Sequence, residues 1–592
     1  MKRFYKITAL LMCCILTLGT GLGLFAVPAE AAGKWVASWG TSLVNGSVSV
    51  AGLSFSDVIL GGSTLRTELT VTTGGTALQF VFSNQYGAAD VTINEMSVAK
   101  TDTRTRAAII DGTQKAITFD GGSASVTIPA GERVVSDTIE FPTQALETIS
   151  ISTYFSDFTY MTSVGLSNGR TFMRSSLRNA SQVNNTSMFG ASEVNIGSGA
   201  ITYHTIPFLE RINTLSSDDK ACAAVFIGDS TLVNDTYLYY AKRIVSAGVK
   251  NISVVNEAII GNKLLSDGSG IIGNLYGQAL IDRFHRDVLE IKGVKYCFVK
   301  IGLNDILHQF SKTMGDSTPH HSANDIIAGY RTLIAQCHRN NIKIYFFTKS
   351  AWMGYERNFL GSGVDITWTQ EEQDMCDALT NWVLTNKEAD GYIDCSPLAD
   401  PSDPRQLCPS FTPDGAHLTD LGSIALADLI PLEYVGVKSS SGKTAAQIAG
   451  KDPYEEKRAI LQAMEDAKTT VPAEEPTTNR QEESTTSVMP SIPSTTAQTP
   501  TVPSTTSGGT VTTAPSVSVS QYTQTYTPPE SYYYNTTANQ NQEVTYNVVN
   551  DGTQVSSVGS GSSVGLTLVF VLVAVIAAAM VILTLMKKKE NL

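Results

Sequence analysis

Two hydrophobic periods divide the chain. Over residues 33–212 apolar and polar positions alternate in twos, as at Leu78, Phe80 and Phe82, at Val126 and Ile128, and at Ile149 and Ile151. Residues two apart share one face of a strand, so each run has a face to bury and a face to wet. Gly74-Gly75, Gly121-Gly122 and Pro129-Ala-Gly131 punctuate these runs as turns. The pattern predicts an all-β sandwich or jelly-roll domain over 33–212.

Beyond residue 212 the character changes. Short apolar runs at 223–227, 252–256, 296–301, 344–347 and 392–395 alternate with helical periods at 236–247, 278–291, 323–340, 370–385 and 420–429. Buried Val/Ile/Phe strands separated by helices predict an α/β domain over 213–440 with a doubly wound, parallel, five-stranded sheet. Ligands of such sheets bind beyond the carboxyl ends of the strands, so chemistry is expected there. A short helical extension follows at 441–468, opened by Asp452-Pro453-Tyr454-Glu455, a capping box with Pro at the first helical position.

The segment 469–563 has no such period. Of its first 52 residues 24 are Ser or Thr and none is aromatic, too little apolar surface to offset chain entropy, so a disordered stalk is expected. At the N-terminus Lys2, Arg3 and Lys6 precede an apolar run that ends in Ala29-Glu30-Ala31, the pattern of a secretory signal over 1–31. Near the C-terminus Gly565 to Met586 is uncharged, and about 22 residues at ~1.5 Å each suffice to cross a bilayer. A transmembrane helix is therefore expected at 564–586, with Lys587, Lys588 and Lys589 opening a cytoplasmic tail at 587–592. Together these place the folded domains at the cell surface, anchored through the membrane.

Net charge is −13, and there is no Lys/Arg-rich block, which argues against nucleic acid as partner. Outside the signal the cysteines are Cys222, Cys297, Cys337, Cys376, Cys395 and Cys408, an even set compatible with disulfides. Cys395 and Cys408 flank a short Pro-rich loop and are the expected pair, while Cys222 and Cys297 fall in buried strands, where a thiol packs as a small apolar group.

Three strand ends carry unusual residues. Gly228-Asp229-Ser230 follows the first strand, Gly261-Asn262 the second and Gly302-Leu-Asn304-Asp305 the third, and Asp414-Gly-Ala-His417 precedes the last helix. A serine nucleophile needs a base, a group that orients the base, and donors for the tetrahedral oxyanion. Ser230, His417 and Asp414 fit the first three roles. The backbone N–H groups of Ser230 and Gly261 and the Asn304 amide fit the fourth.

These four blocks, in this order, resemble the SGNH hydrolases, the GDSL-type esterase and lipase superfamily. The resemblance extends to a subgroup with an N-terminal β domain, through Trp35-Val-Ala-Ser-Trp39-Gly-Thr, Gln79 to Gly87 and Arg283-Phe-His-Arg286-Asp287-Val-Leu289, and covers about 33–436. It implies a flavodoxin-like sheet and ester hydrolysis through an acyl-enzyme, without a cofactor. Thr231 to Asp235 after block I and Glu257-Ala258 before block II depart from the family pattern. An exported enzyme on a stalk suits removal of acetyl or short acyl groups from a carbohydrate polymer. Lipid esters, as in a lysophospholipase or short-chain lipase, are the alternative substrate, and a non-catalytic glycan-binding adhesin is the reading from another class.

Other pairings compete for these roles. Asp282-x-x-His285 lies on a helical face, Asp305-x-x-His308 starts the segment after the third strand, and Gly165-x-Ser167-x-Gly169 fits a nucleophile elbow without the helix such an elbow needs. Asp229 and Asp305 read as loop braces. His204, His320, His321 and His338 show no metal-ligand spacing, so no metal is expected. Trp352, Tyr355, Phe359 and Trp368 follow the fourth strand and fit either a sugar- or acyl-binding wall or ordinary packing.

Overall fold

The computed structural model describes residues 33–469 apart from 48, 51–52, 55–59, 167–168, 176–178, 180–192, 199–200, 271, 313 and 359–363. The expected signal, almost all of the stalk and the expected span at 564–586 lie outside the described residues. Among the described residues no helix is long and apolar enough to cross a membrane.

The N-terminal region is all β. One antiparallel sheet runs Lys34–Gly40, Leu209–Ser216, Gly75–Ser83 and Arg133–Val135, with Ile139–Thr143 also paired to Gly75–Ser83. A second runs Gly169–Ser175, Ser63–Val71, Glu147–Phe155, Glu95–Lys100 and Lys115–Ala116. Leu78, Phe80, Phe82, Ile128, Ile149 and Ile151 lie in the core as the alternation predicts. In Ile139–Thr143 the alternation is strict, with Glu140 and Pro142 exposed. In Leu209–Ser216 it fails, because all eight residues are buried, Glu210, Arg211, Asn213 and Thr214 included. That strand belongs to the sheet whose edge lies against the α/β part, so it is covered on both faces.

The parallel sheet is built from β1 (Cys222–Gly228), β2 (Ile252–Asn256), β3 (Val294–Lys300), β4 (Lys343–Phe347) and β5 (Gly391–Ile393), in the order β2-β1-β3-β4-β5. This is the doubly wound order in which the chain reverses direction between β1 and β3. The helices are α1 (Thr236–Ser246), α2 (Leu280–Phe284), α3 (Ala323–Arg339), α4 (Gln370–Thr385) and α5 (Asp420–Leu429). Four of the five match the sequence expectation within a residue. Ser322 and Thr369 open α3 and α4 through capping boxes, satisfying otherwise unpaired N–H groups.

The exception is the helix expected at 278–291. It begins only at Leu280, since the Gln278 carbonyl accepts from the Asn262 side chain at 2.8 Å, and it widens into a π-turn over His285–Leu289. Such widenings recur where side chains must be re-aimed. Here Arg283 and Asp287 both end up fully inside the protein.

The edge strand β2 is not left open. Ala37 lies across it, with Ser253 Oγ donating to the Ala37 carbonyl at 2.5 Å, and Thr72 Oγ1 both accepts from Val254 N and donates to Val254 O at 2.9 Å. An unpaired sheet edge is an aggregation hazard, and the β region removes it by hydrogen bonding.

The expected Cys395–Cys408 disulfide is absent: all six described cysteines are free, buried thiols. The loop between them is closed by backbone bonds instead, Cys408 N to Leu398 O at 3.0 Å and an Ala399–Leu407 bridge.

Candidate active site

Ser230 sits in the first turn after β1, which ends at Gly228. A Cβ on Gly228 would lie 2.0 Å from the Lys300 carbonyl on β3, so the nucleophile turn starts where only glycine fits between adjacent strands. Asp229 caps this turn, its Oδ1 accepting from Thr231 N at 3.0 Å and Thr231 Oγ1 at 2.7 Å. It braces the turn, as expected. Ser230 keeps 8% of its surface open.

His417 comes from the loop before α5, which follows β5, the strand that β3 and β4 separate from β1 in the sheet. Helix α5 packs beside α1, where Tyr239 Oη donates to Asp420 at 2.9 Å and Arg243 Nη1 donates to the Ile430 carbonyl at 2.8 Å, and this carries the loop back over Ser230. Asp414 Oδ1 accepts from the backbone N–H groups of Ala416 at 3.0 Å and His417 at 2.9 Å, while Oδ2 lies 2.6 Å from His417 Nδ1. His417 Nε2 lies 2.9 Å from Ser230 Oγ. A carboxylate can only accept, so Nδ1 carries the proton and Nε2 offers a lone pair to the serine hydroxyl. Burial would raise the Asp414 carboxyl, but the hydrogen bonds and charge of the His417 ring and the two backbone N–H groups outweigh it and hold it down to about 2.

Gly261 follows β2 with φ +62°, and a Cβ there would lie 2.0 Å from the Tyr276 ring. Among the described residues neither the Ser230 nor the Gly261 N–H is committed to a carbonyl. Asn304, in the short helix Leu303–Leu307 after β3, donates one amide hydrogen to Asn262 O at 3.0 Å, leaving a second for another acceptor. All five residues anticipated for the site therefore stand at neighbouring strand ends.

The competing pairs do not reach the serine. Asp305 is buried and accepts from Leu264 N at 2.8 Å and Leu265 N at 3.0 Å; burial raises its carboxyl above the ordinary range. His308 is buried with its ring 5.2 Å from that of Tyr276. His285 is largely exposed beside Glu290, and Ser167 lies outside the described residues, followed by the strand Gly169–Ser175 rather than a helix. Trp352, Tyr355 and Trp368 are core residues, so ordinary packing describes them, and Phe359 lies outside the described residues.

Two buried lysines were not anticipated. Lys300 Nζ donates to Thr231 Oγ1 at 2.8 Å, extending the brace under the nucleophile turn. Lys349 donates to the Ile301 carbonyl, and burial with the neighbouring Lys300 charge lowers it to about 8. The available signal was a charged residue at position 300, directly after the apolar run Tyr296–Val299.

Residues 224–430 match the family model for GDSL-like lipase/acylhydrolase. No curated protein sequence is similar enough to match the chain. Solved structures similar to it include an acetyl xylan esterase, AlAXEase (19% identity, 35% of this chain and 96% of that chain, TM-score 0.26). Others are a GDSL-like lipase from Bacteroides thetaiotaomicron VPI-5482 (14%, 42% and 91%, TM-score 0.24) and a variant acetyl xylan esterase from Geobacillus stearothermophilus (19%, 37% and 98%, TM-score 0.27). It is the family model that carries the assignment: residues 224–430 are a GDSL-like lipase/acylhydrolase domain, and the protein is a carboxylic ester hydrolase.

Proposed function

We propose that the chain is an extracellular serine esterase that removes acetyl or other short acyl groups from a carbohydrate polymer. The observation that carries the catalytic part is the unbroken run of contacts from Asp414 through His417 to Ser230, at 2.6 and 2.9 Å. Ser230 Oγ attacks the acyl carbon as its proton passes to His417 Nε2, and the carbonyl π-electrons move onto oxygen. That oxyanion is held by the N–H groups of Ser230 and Gly261 and the free Asn304 amide hydrogen. Collapse breaks the ester C–O bond, and the sugar oxygen leaves with the proton from His417. Water then repeats the sequence on the acyl-enzyme, giving up its proton to His417, and releases the acid and the serine. Asp414 stays ionised throughout and stabilises the imidazolium.

The substrate class is supported by the sequence features of export and by the acidic balance of a chain ill-suited to polyanions. The test is release of acetate from acetylated polysaccharides by the purified protein and by its Ser230→Ala variant, with lysophospholipids in parallel. Serine-dependent acetate release bears the reading out. Faster turnover of the lipid moves the substrate to that class, and release that survives Ser230→Ala removes Ser230 as nucleophile.

A further inference from the structure

The oxyanion donors and the nucleophile turn hang on one buried guanidinium. Arg283 Nη2 donates to Gly228 O at 3.2 Å, the residue that opens the nucleophile turn, and to Asn262 Oδ1 at 3.0 Å. Nε also reaches Asn262 Oδ1, at 3.2 Å. Asn262 is itself buried and spends its amide on Tyr276 O and Gln278 O, both at 2.8 Å, while its carbonyl receives the Asn304 amide at 3.0 Å. Thus Gly261 is bonded to a residue fixed on all sides, and Tyr276, which closes over Gly261, is held by the same amide. Three separate strand ends share Arg283 as their anchor.

The other half of Arg283 faces the β region. Nη1 lies 2.9 Å from Ser42 Oγ, 2.8 Å from the Glu257 carbonyl and 2.9 Å from Asp287 Oδ2. Ser42 Oγ in turn lies 2.9 Å from both Glu257 Oε2 and Asp287 Oδ2 and 3.0 Å from the Glu257 carbonyl, one of which its single proton serves. Arg286 closes the cluster, pairing with Asp287 Oδ1 at 2.6 Å. Ser42, Glu257, Arg283 and Asp287 are all buried. Nη1 has two hydrogens for its three oxygen neighbours, of which Glu257 O and Asp287 Oδ2 belong to the α/β part, so what Ser42 adds is a contact that ties both the guanidinium and the Asp287 carboxylate to the β region.

We propose that Arg283 is a positioning residue for the oxyanion hole and that Ser42 of the β region locks it in register. The β region is then a working part of the esterase site rather than a separate binding module. This rests on the esterase reading, which turnover of a short-chain acyl ester by the unaltered protein checks on its own. Loss of a preorganised oxyanion donor costs about 10²–10³-fold in kcat, so a misplaced hole costs somewhat less: ~10-fold for Ser42→Ala and ~100-fold for Arg283→Lys. Lysine keeps the charge but lacks the fork that spans Gly228 O and Asn262 at once.

The experiment measures kcat and KM for that ester, thermal stability, and the inhibition constant of a trifluoromethyl ketone, whose adduct with Ser230 places an oxyanion in the hole. Thr72→Val, which removes a β-region hydroxyl bonded to Val254 on the same interface and not to the Arg283 cluster, is the control. The expected result is a fall in kcat for Ser42→Ala and Arg283→Lys, KM within about twofold, and ketone affinity weakened by the same factor as kcat/KM. Thr72→Val loses thermal stability and keeps kcat. The proposal is overturned if Ser42→Ala keeps kcat and ketone affinity, or if Thr72→Val loses as much kcat as Ser42→Ala. Should Arg283→Lys not fold, Ser42→Ala decides alone. An inactive unaltered protein overturns the esterase reading, a result none of the variants can mimic.

Discussion

Asp414 and Asp287 are both aspartates held below the ordinary carboxylate range, in opposite surroundings. For each, burial pushes the carboxyl up and partners more than offset it. Asp414 stays partly open to solvent, and its partners are Ala416 and His417, two and three residues on. Asp287 is sealed inside, and its partners include Ser42, 245 residues away. The first arrangement can be written into a four-residue motif. The second exists only once two distant stretches of chain have packed, so the carboxylate that orients the catalytic base is fixed locally and the one that anchors the Arg283 cluster is not.

The largest expected effect falls on the catalytic side. Ser230→Ala should lower kcat on a short acyl ester by about 10⁴-fold or more, with little change in thermal stability, because the hydroxyl works only in the reaction. A variant that loses both would place Ser230 among the structural residues and erase the contrast. On the buried side, Arg283→Met should cost about 3–5 kcal/mol in urea unfolding, because it strands the carboxylate of Asp287 in a dry cluster. A cost comparable to that of a surface substitution would mean that Arg286 alone neutralises the cluster.

Asn304→Ala should sit between the two regions. It removes a proposed oxyanion donor and a bond to Asn262, so kcat should fall about 10²–10³-fold with KM little changed. An increase in KM alone would assign Asn304 to substrate binding.

The last effect is one of pH. Burial, offset in part by Arg211, raises the Glu257 carboxyl to about 8 from an ordinary value of 4.5. The folded protein then holds a proton that the unfolded chain releases, so this group's contribution to stability is full below about pH 4.5 and declines as pH rises through 8. Stability measured across that window should fall more steeply for the unaltered protein than for Glu257→Gln. Equal slopes would show that Glu257 is ionised when folded.

These differences also explain what the sequence made legible. The five βα units, the strand-end placement of Ser230, Gly261, Asn304 and His417, and the loop-bracing role of Asp305 follow from period and position. Contacts of long sequence separation do not. Leu209–Ser216 carries apolar residues only at Leu209, Ile212 and Leu215, yet it is buried throughout, because the packing of the β region against the α/β part covers its polar positions too. Arg283 stands out in the sequence only through the stretch that resembles the subgroup with an N-terminal β domain, and its contact with Ser42, 241 residues away, has no mark in the helical period. The Cys395–Cys408 expectation rested on proximity in sequence, and backbone hydrogen bonds had already closed that loop.

The bond between Ser42 and Arg283 also orders events in time. During synthesis at roughly 5–20 residues per second, the 241 residues between them take some tens of seconds to emerge. For that interval the serine waits without the cation it will hold, and Lys34–Gly40 waits for Leu209–Ser216, the strand it pairs with. The hydrolase strands, by contrast, find their neighbours as they appear. A nascent chain therefore carries Ser42 unpartnered until Arg283 emerges, and the frame around the oxyanion site closes only after that, when Asn304 has followed.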